Sequence, residues 1–157
     1  MNKLTTYNDL VGILGAQWDT YKSAATQALA KVGYDNSGVY KGLPVIVQKM
    51  PCLGVMPANS IHTPAGNQYL EEVDFALDIY FYAFDFNKET QITKVLQMSN
   101  TIEAIVAHYR ELNAVVDVCR ISRVEYGELI RQSFSGGQFR AAGGIATVQL
   151  TDKSSHI

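Results

Sequence analysis

The sequence predicts an α+β domain: one mainly antiparallel sheet with two long helices on the same face. Three observations carry this. Two segments repeat apolar residues at three- and four-residue steps, one long segment alternates with a period of two, and shorter alternating runs follow. Runs of strands interrupted by helices, rather than a regular strand–helix alternation, fit an antiparallel sheet better than a parallel one. The 157 residues suit a single domain with a proper core.

The first helix is expected over about 8–32. Leu10, Leu14, Trp18, Tyr21, Ala25, Ala28 and Val32 fall on one face. Thr6 and Asp9 have capping-box spacing, and Gly33 is placed to stop the helix. A turn-rich stretch follows, Tyr34 to Gly38, with Gly42 and Pro44 beyond it. Leu43–Gln48 and Cys52–Met56, around Pro51, read as short strands or a hairpin. Residues 57–69 read as a long loop, because Pro57, Asn59, Ser60, Pro64, Gly66 and Asn67 are turn formers.

Glu71 to Phe86 is the most informative stretch. Val73, Phe75, Leu77, Ile79, Phe81 and Ala83 form one face, against Glu72, Asp74, Ala76, Asp78, Tyr80, Tyr82 and Phe84 on the other. The run would be roughly 50 Å long, more than a small domain is wide. Its Tyr80/Tyr82/Phe84 end therefore needs a cover, from a second helix or from another subunit. A second helix is expected over about 88–112, capped by Asn87 and ended by Asn113. Its apolar stripe is Ile92, Val95, Leu96, Ser99, Ile102, Ile105, Val106 and Tyr109. Strands resume from Val115 towards Tyr126 and again at Ala146, Val148 and Leu150. Between them, residues 133–144 hold Gly136, Gly137, Gly143 and Gly144 with Phe134, Phe139 and Arg140, and read as a hairpin loop or a flexible arm. The tail, 152–157, is expected to fray.

Charge and composition narrow the function. Lys and Arg number 13 against 15 Asp and Glu, a net charge of −2, so nothing favours sequence-specific nucleic-acid binding. No apolar run is long enough to span a bilayer, and the N-terminus has no signal-like h-region. Cys52 and Cys119 cannot form a disulfide framework and fit a reducing compartment.

Catalytic signatures are missing. His62, His108 and His156 lack metal-ligand spacing, and no CxxC, GxSxG or phosphate-loop pattern occurs, so no cofactor or metal is expected. Glu72, Asp74 and Asp78 share a strand face; a solvated or intersubunit face explains them better than acid–base work. Arg120, Arg123, Arg131 and Arg140 gather late in the chain and either pair with that acidic face on a neighbour or are scattered surface charge, two readings of equal weight. A small enzyme or ligand-binding domain is the alternative class, with a pocket drawn from Tyr80, Tyr82, His108 and Asp78.

The order of elements then suggests a family. A long N-terminal helix, a strand with proline and a Pro/Gly loop precede Glu-Glu-Val-Asp-Phe-Ala-Leu-Asp-Ile-Tyr-Phe-Tyr, residues 71–82. That strand runs directly into a helix, and a Gly-rich arm precedes the last strand. From Asn8 to Thr151 this pattern resembles the tail terminator, or tail completion, proteins of tailed bacteriophages, and more broadly the head–tail joining proteins. The resemblance implies a non-enzymatic virion protein, assembled in the host cytoplasm, whose ring of typically six copies caps the tail tube. Its partners would be itself, the tail tube protein and a neck or connector protein. A neck, connector or minor tail subunit is the nearest alternative. In such a ring Tyr80, Tyr82, Phe84, Asp74, Asp78, Arg120 and Arg123 are the expected interface residues, with Phe139 and Arg140 on the arm.

Overall fold

The computed structural model describes residues 1–23, 27–43, 49–64, 70–112, 115–134 and 137–155. The element order is α1 (Lys3–Tyr21), a 3-10 turn (Tyr34–Asn36), β1 (Val39–Lys41), β2 (Cys52–Pro64), β3 (Leu70–Ala83), α2 (Lys88–His108), β4 (Val118–Phe134) and β5 (Gly137–Ser155). The strands form one sheet in the order β1-β2-β3-β5-β4. Among the described residues only the β1–β2 pair is parallel. The fold is α+β, with both helices against the sheet.

The period of two in β3 is what builds the core. Val73, Phe75, Leu77, Ile79, Phe81 and Ala83 are all buried. Register places Leu53 and Val55 of β2 beside Phe81 and Ile79. On the other side, Ala146, Val148 and Leu150 of β5 lie beside Ile79, Leu77 and Phe75. Leu10, Leu14 and Trp18 of α1 and Val95, Met98, Ile102 and Ile105 of α2 close the same cluster. Burying residues of this size contributes about 1.5–3 kcal/mol each, before conformational entropy is subtracted. Tyr7 fixes α1 to the sheet, since its hydroxyl donates to the Val55 carbonyl (2.8 Å) and accepts from Gly42 N (3.1 Å).

Several expectations are corrected. The first helix ends at Tyr21 rather than near Val32, and begins at Lys3 with Asn2 as its cap in place of the Thr6/Asp9 box. The chain turns back instead, because Trp18 Nε1–H donates to the Gln27 carbonyl (2.7 Å) and Ala30 N–H donates to Pro51 O (2.8 Å). Gly33 caps no helix; at φ 76 it opens the 3-10 turn. Tertiary bonding overrides helix propensity here. The second helix is shorter than expected, ending at His108, although Asn87 caps it as predicted through Oδ1 and Thr90 N (3.0 Å). The expected stop at Asn113 lies outside the described residues.

The third correction concerns residues 57–69: those to Pro64 are strand, paired from Pro57↔Leu77 to Pro64↔Glu71 around a bulge at Ala58. The remainder, 65–69, lies outside the described residues. Fourth, the hairpin expected over 133–144 is there, but its residues are paired strand rather than loop on either side of 135–136, which lie outside the described residues. Gly143 and Gly144 sit inside β5, opposite Tyr82 and Phe81. The tail is also strand as far as Ser155, while His156 and Ile157 are outside the described residues. Of the segment Leu43–Gln48, residues 44–48 are likewise outside them.

Candidate functional site

The sheet's second face holds most of the residues singled out from the sequence. On β3, Asp74 and Asp78 point away from the helices. Each accepts a 2.7 Å hydrogen bond from the hydroxyl of its register partner on β5, Thr151 and Thr147 respectively. One strand further on, Arg123 is the partner of Thr147 and Arg120 that of Gln149, whose Oε1 accepts from Arg120 Nη2 (3.1 Å). Two strand spacings, about 9.6 Å, therefore separate the β3 carboxylates from the β4 arginines. Acid and base lie on one face of one chain with a polar strand between them. Arg123 instead reaches Glu125 Oε1 at 3.5 Å, an exposed pair of little energetic weight. The threonines that satisfy these aspartates escaped sequence reasoning, though they alternate with Ala146, Val148 and Leu150.

The aromatic end of this face is covered from within the chain, not by a helix. Tyr82 is 3% exposed and clusters with Val32 and Cys52, with Tyr80, Tyr40, Met50 and Ala30 packed around them. The segment that the shortened α1 releases supplies that lid. Tyr82 is thus core, and Tyr80 is partly buried at its margin. Phe84 lies edge-on to Phe86 at 4.9 Å, and Phe86 is 91% exposed.

The four residues of the alternative pocket do not converge. Tyr80, Tyr82 and Asp78 are on the sheet's second face, whereas His108 ends α2 and sits against Tyr21 (5.5 Å) and Tyr109 (4.9 Å) on the helix layer. Among the described residues no three of His, Cys, Asp and Glu group closely enough to hold a metal ion, and no helix is long and apolar enough to cross a membrane.

Burial pushes both cysteine thiols up to about 12. Tyr82 also rises to about 12, through burial first and then its neighbours Cys52 and Tyr80. Raised values hold these groups neutral in the folded chain, so their contribution is complete below about pH 9 and is lost as pH climbs towards about 12. Melting temperature is expected to fall steadily across that window, and native protein at pH 8 to leave a thiol reagent unreacted until denaturant is added. Rapid labelling of native protein would contradict this assignment.

Two further features stand out. First, β4 and β5 continue past the end of β3. Its last partner is Ala142, whereas the β4–β5 ladder runs on to Phe134↔Gly137. Residues beyond Glu128↔Ala142 form a two-stranded ribbon, in which Gln132 pairs with Phe139 and Arg131 with Arg140. Second, the helix stripe is narrower than expected. Ile92 and Leu96 are 60% and 47% exposed, not core, and Tyr126 on the adjacent edge strand is 53% exposed. No protein-family model matches the chain, and no curated protein matches it significantly by sequence.

Proposed function

We propose that this chain is a non-enzymatic assembly subunit that associates with copies of itself as a ring. In line with the resemblance, its role is that of a tail terminator capping a phage tail tube and meeting the neck. The ribbon carries this reading. A two-stranded hairpin is marginal in water unless further strands or a helix support it. The ribbon has no third strand among the described residues. A ribbon built this way gains its support on meeting another surface. Phe86, Ile92, Leu96 and Tyr126 add exposed apolar area of the kind found at interface cores. A ring needs a heterologous contact, and a β4–β5 ladder that outruns its third strand supplies one half of it.

The tube-capping role is tested by adding the protein to a polymerising tail tube protein. Tubes are expected to stop at shorter lengths with a ring visible at one end by negative-stain microscopy. Unchanged lengths and bare ends, with rings still present in the sample, would assign the ring to the neck instead.

A further inference from the structure

A ring, the premise carried over from the proposed function, needs an apolar anchor at each copy-to-copy contact. Phe86 is the most exposed large apolar residue among the described ones, at 91%. It directly precedes Asn87, the cap of α2, where an apolar side chain ordinarily folds onto the fourth helical residue as a staple. That fourth residue is Gln91, whose Oε1 instead accepts from Asp85 N–H (3.3 Å). Phe86 therefore packs edge-on against Phe84 (4.9 Å) and otherwise faces solvent. Three residues earlier, Ala83 is the last β3 partner of β5, at the rung where the ribbon leaves the sheet. The opposite end of α2 carries a hollow. Val106 and Ala107 of α2, with Val118 and Ile121 of β4, wall a groove of about 340 Å³, room for one aromatic side chain. Val118 is the first residue of β4 and 44% exposed. The 21 residues of α2 span about 31 Å, so Phe86 and the groove lie at opposite ends of the molecule's helix layer.

We propose that Phe86 of one copy seats in the α2–β4 groove of the next copy. An aromatic side chain buried in a pocket is the usual energetic centre of such a contact. The charges beside each half select a second copy as the occupant. Exposed Lys88 and Glu89 follow Phe86, while exposed Glu103 and Arg110 stand on the α2 rim of the groove. Consecutive residues diverge by about 100° around a helix, which sets the Lys88 and Glu89 charges roughly 9 Å apart. Glu103 and Arg110 are two turns apart on one helix face, about 10 Å along the axis. Lys88 can therefore meet Glu103 while Glu89 meets Arg110. The other charges close by are already engaged, Asp85 with Lys94 (3.0 Å) and Arg120 with Gln149 (3.1 Å). Because anchor and groove are different surfaces of the same chain, the contact is heterologous and passes from copy to copy.

Two variants of the full chain test this, each altered at an exposed position so that its melting curve stays unchanged. Phe86→Ser removes the anchor, and Ala107→Trp fills the groove. Each alone should weaken self-association at least tenfold in light scattering. Mixed in equal amounts they should form a pair of chains and stop there, because one intact anchor and one intact groove remain between them. Glu89→Arg should weaken association as well, and adding Arg110→Glu to that variant should restore it. A Phe86→Ser chain that keeps the mass of the unmodified protein, or a mixture that stays unpaired, would overturn this seat and leave the ring standing. An unmodified chain that stays a single copy would overturn both.

Discussion

Trp18→Ala should cost about 3–5 kcal/mol, the range for emptying a large aromatic site in a close-packed core. For a chain of this size that lowers the melting temperature by roughly 6–20 °C. Trp18 is 1% exposed and does two jobs. Its ring fills the space between α1 and the sheet, within the main core cluster. Its Nε1–H satisfies the buried Gln27 carbonyl, at the point where the chain leaves the helix to cover Cys52 and Tyr82. Trp18→Phe separates the two roles. It keeps most of the ring but leaves that carbonyl without its donor, a loss of about 1–3 kcal/mol. The alanine variant should also expose the Cys52 thiol to reagent sooner, since the lid over it hangs from this bond. Urea unfolding followed by circular dichroism checks both variants. A loss below about 1 kcal/mol for Trp18→Ala would contradict the assigned packing.

Gly144→Ala should be nearly as damaging, although it adds one methyl group. A Cβ there would collide with the Glu125 backbone carbonyl on β4 and come within 2.6 Å of Phe81 Cζ. A backbone oxygen within a paired ladder cannot swing aside, so relief requires β4 and β5 to separate or Phe81 to leave its place. Overpacking generally costs about 1–3 kcal/mol, and with a backbone atom as the obstacle we expect the upper end. The same move would disturb the edge-on contact of Phe81 with Tyr126, whose rings are 6.3 Å apart. Gly127→Ala is the control, because nothing lies within 4 Å of its added Cβ. Equal melting temperatures for the two variants would remove the close-packing role from Gly144.

These two residues show what was legible in the sequence and what was not. The alternation of Val73 to Ala83 gave the sheet's core face directly, since a side chain's face follows from its parity along a strand. Asn87 likewise announced α2, because a side chain that caps acts locally. The errors came where long-range contacts decide. Ala25, Ala28 and Val32 continue a helical spacing from Trp18, yet the chain turns because Gln27 and Ala30 find partners at Trp18 and Pro51. Pro57 and Pro64 read as loop residues, but the stretch of β2 they bound has a free outer edge among the described residues, the sheet position where proline is tolerated. Gly143 and Gly144 read as flexibility, and Gly144 instead lets Phe81 approach the backbone.

The site was partly legible in the same sense. Asp74 and Asp78 share the face that parity assigns, whereas Arg120 and Arg123 join it together only through the register shift between Ile121 and Arg123. The partners Thr147, Thr151 and Gln149 depend on strand order, which composition does not encode. Tyr82 looked available for an interface and is consumed by the chain's own lid. The exposed row on α2 was hidden for the opposite reason: Ile92 and Leu96 fit the core stripe by spacing alone, and their exposure emerges only once the helix's rotation is known.

Self-association through the ribbon is the central claim, and the mass of the full chain in solution tests it most directly. Light scattering across a concentration series should show a discrete multiple of the chain mass, with six copies as the expected ring. Shortening the hairpin by replacing residues 130–140 with an Asn-Gly turn should return it to a folded single chain. A full-length chain that keeps the mass of one copy at every concentration would contradict the account.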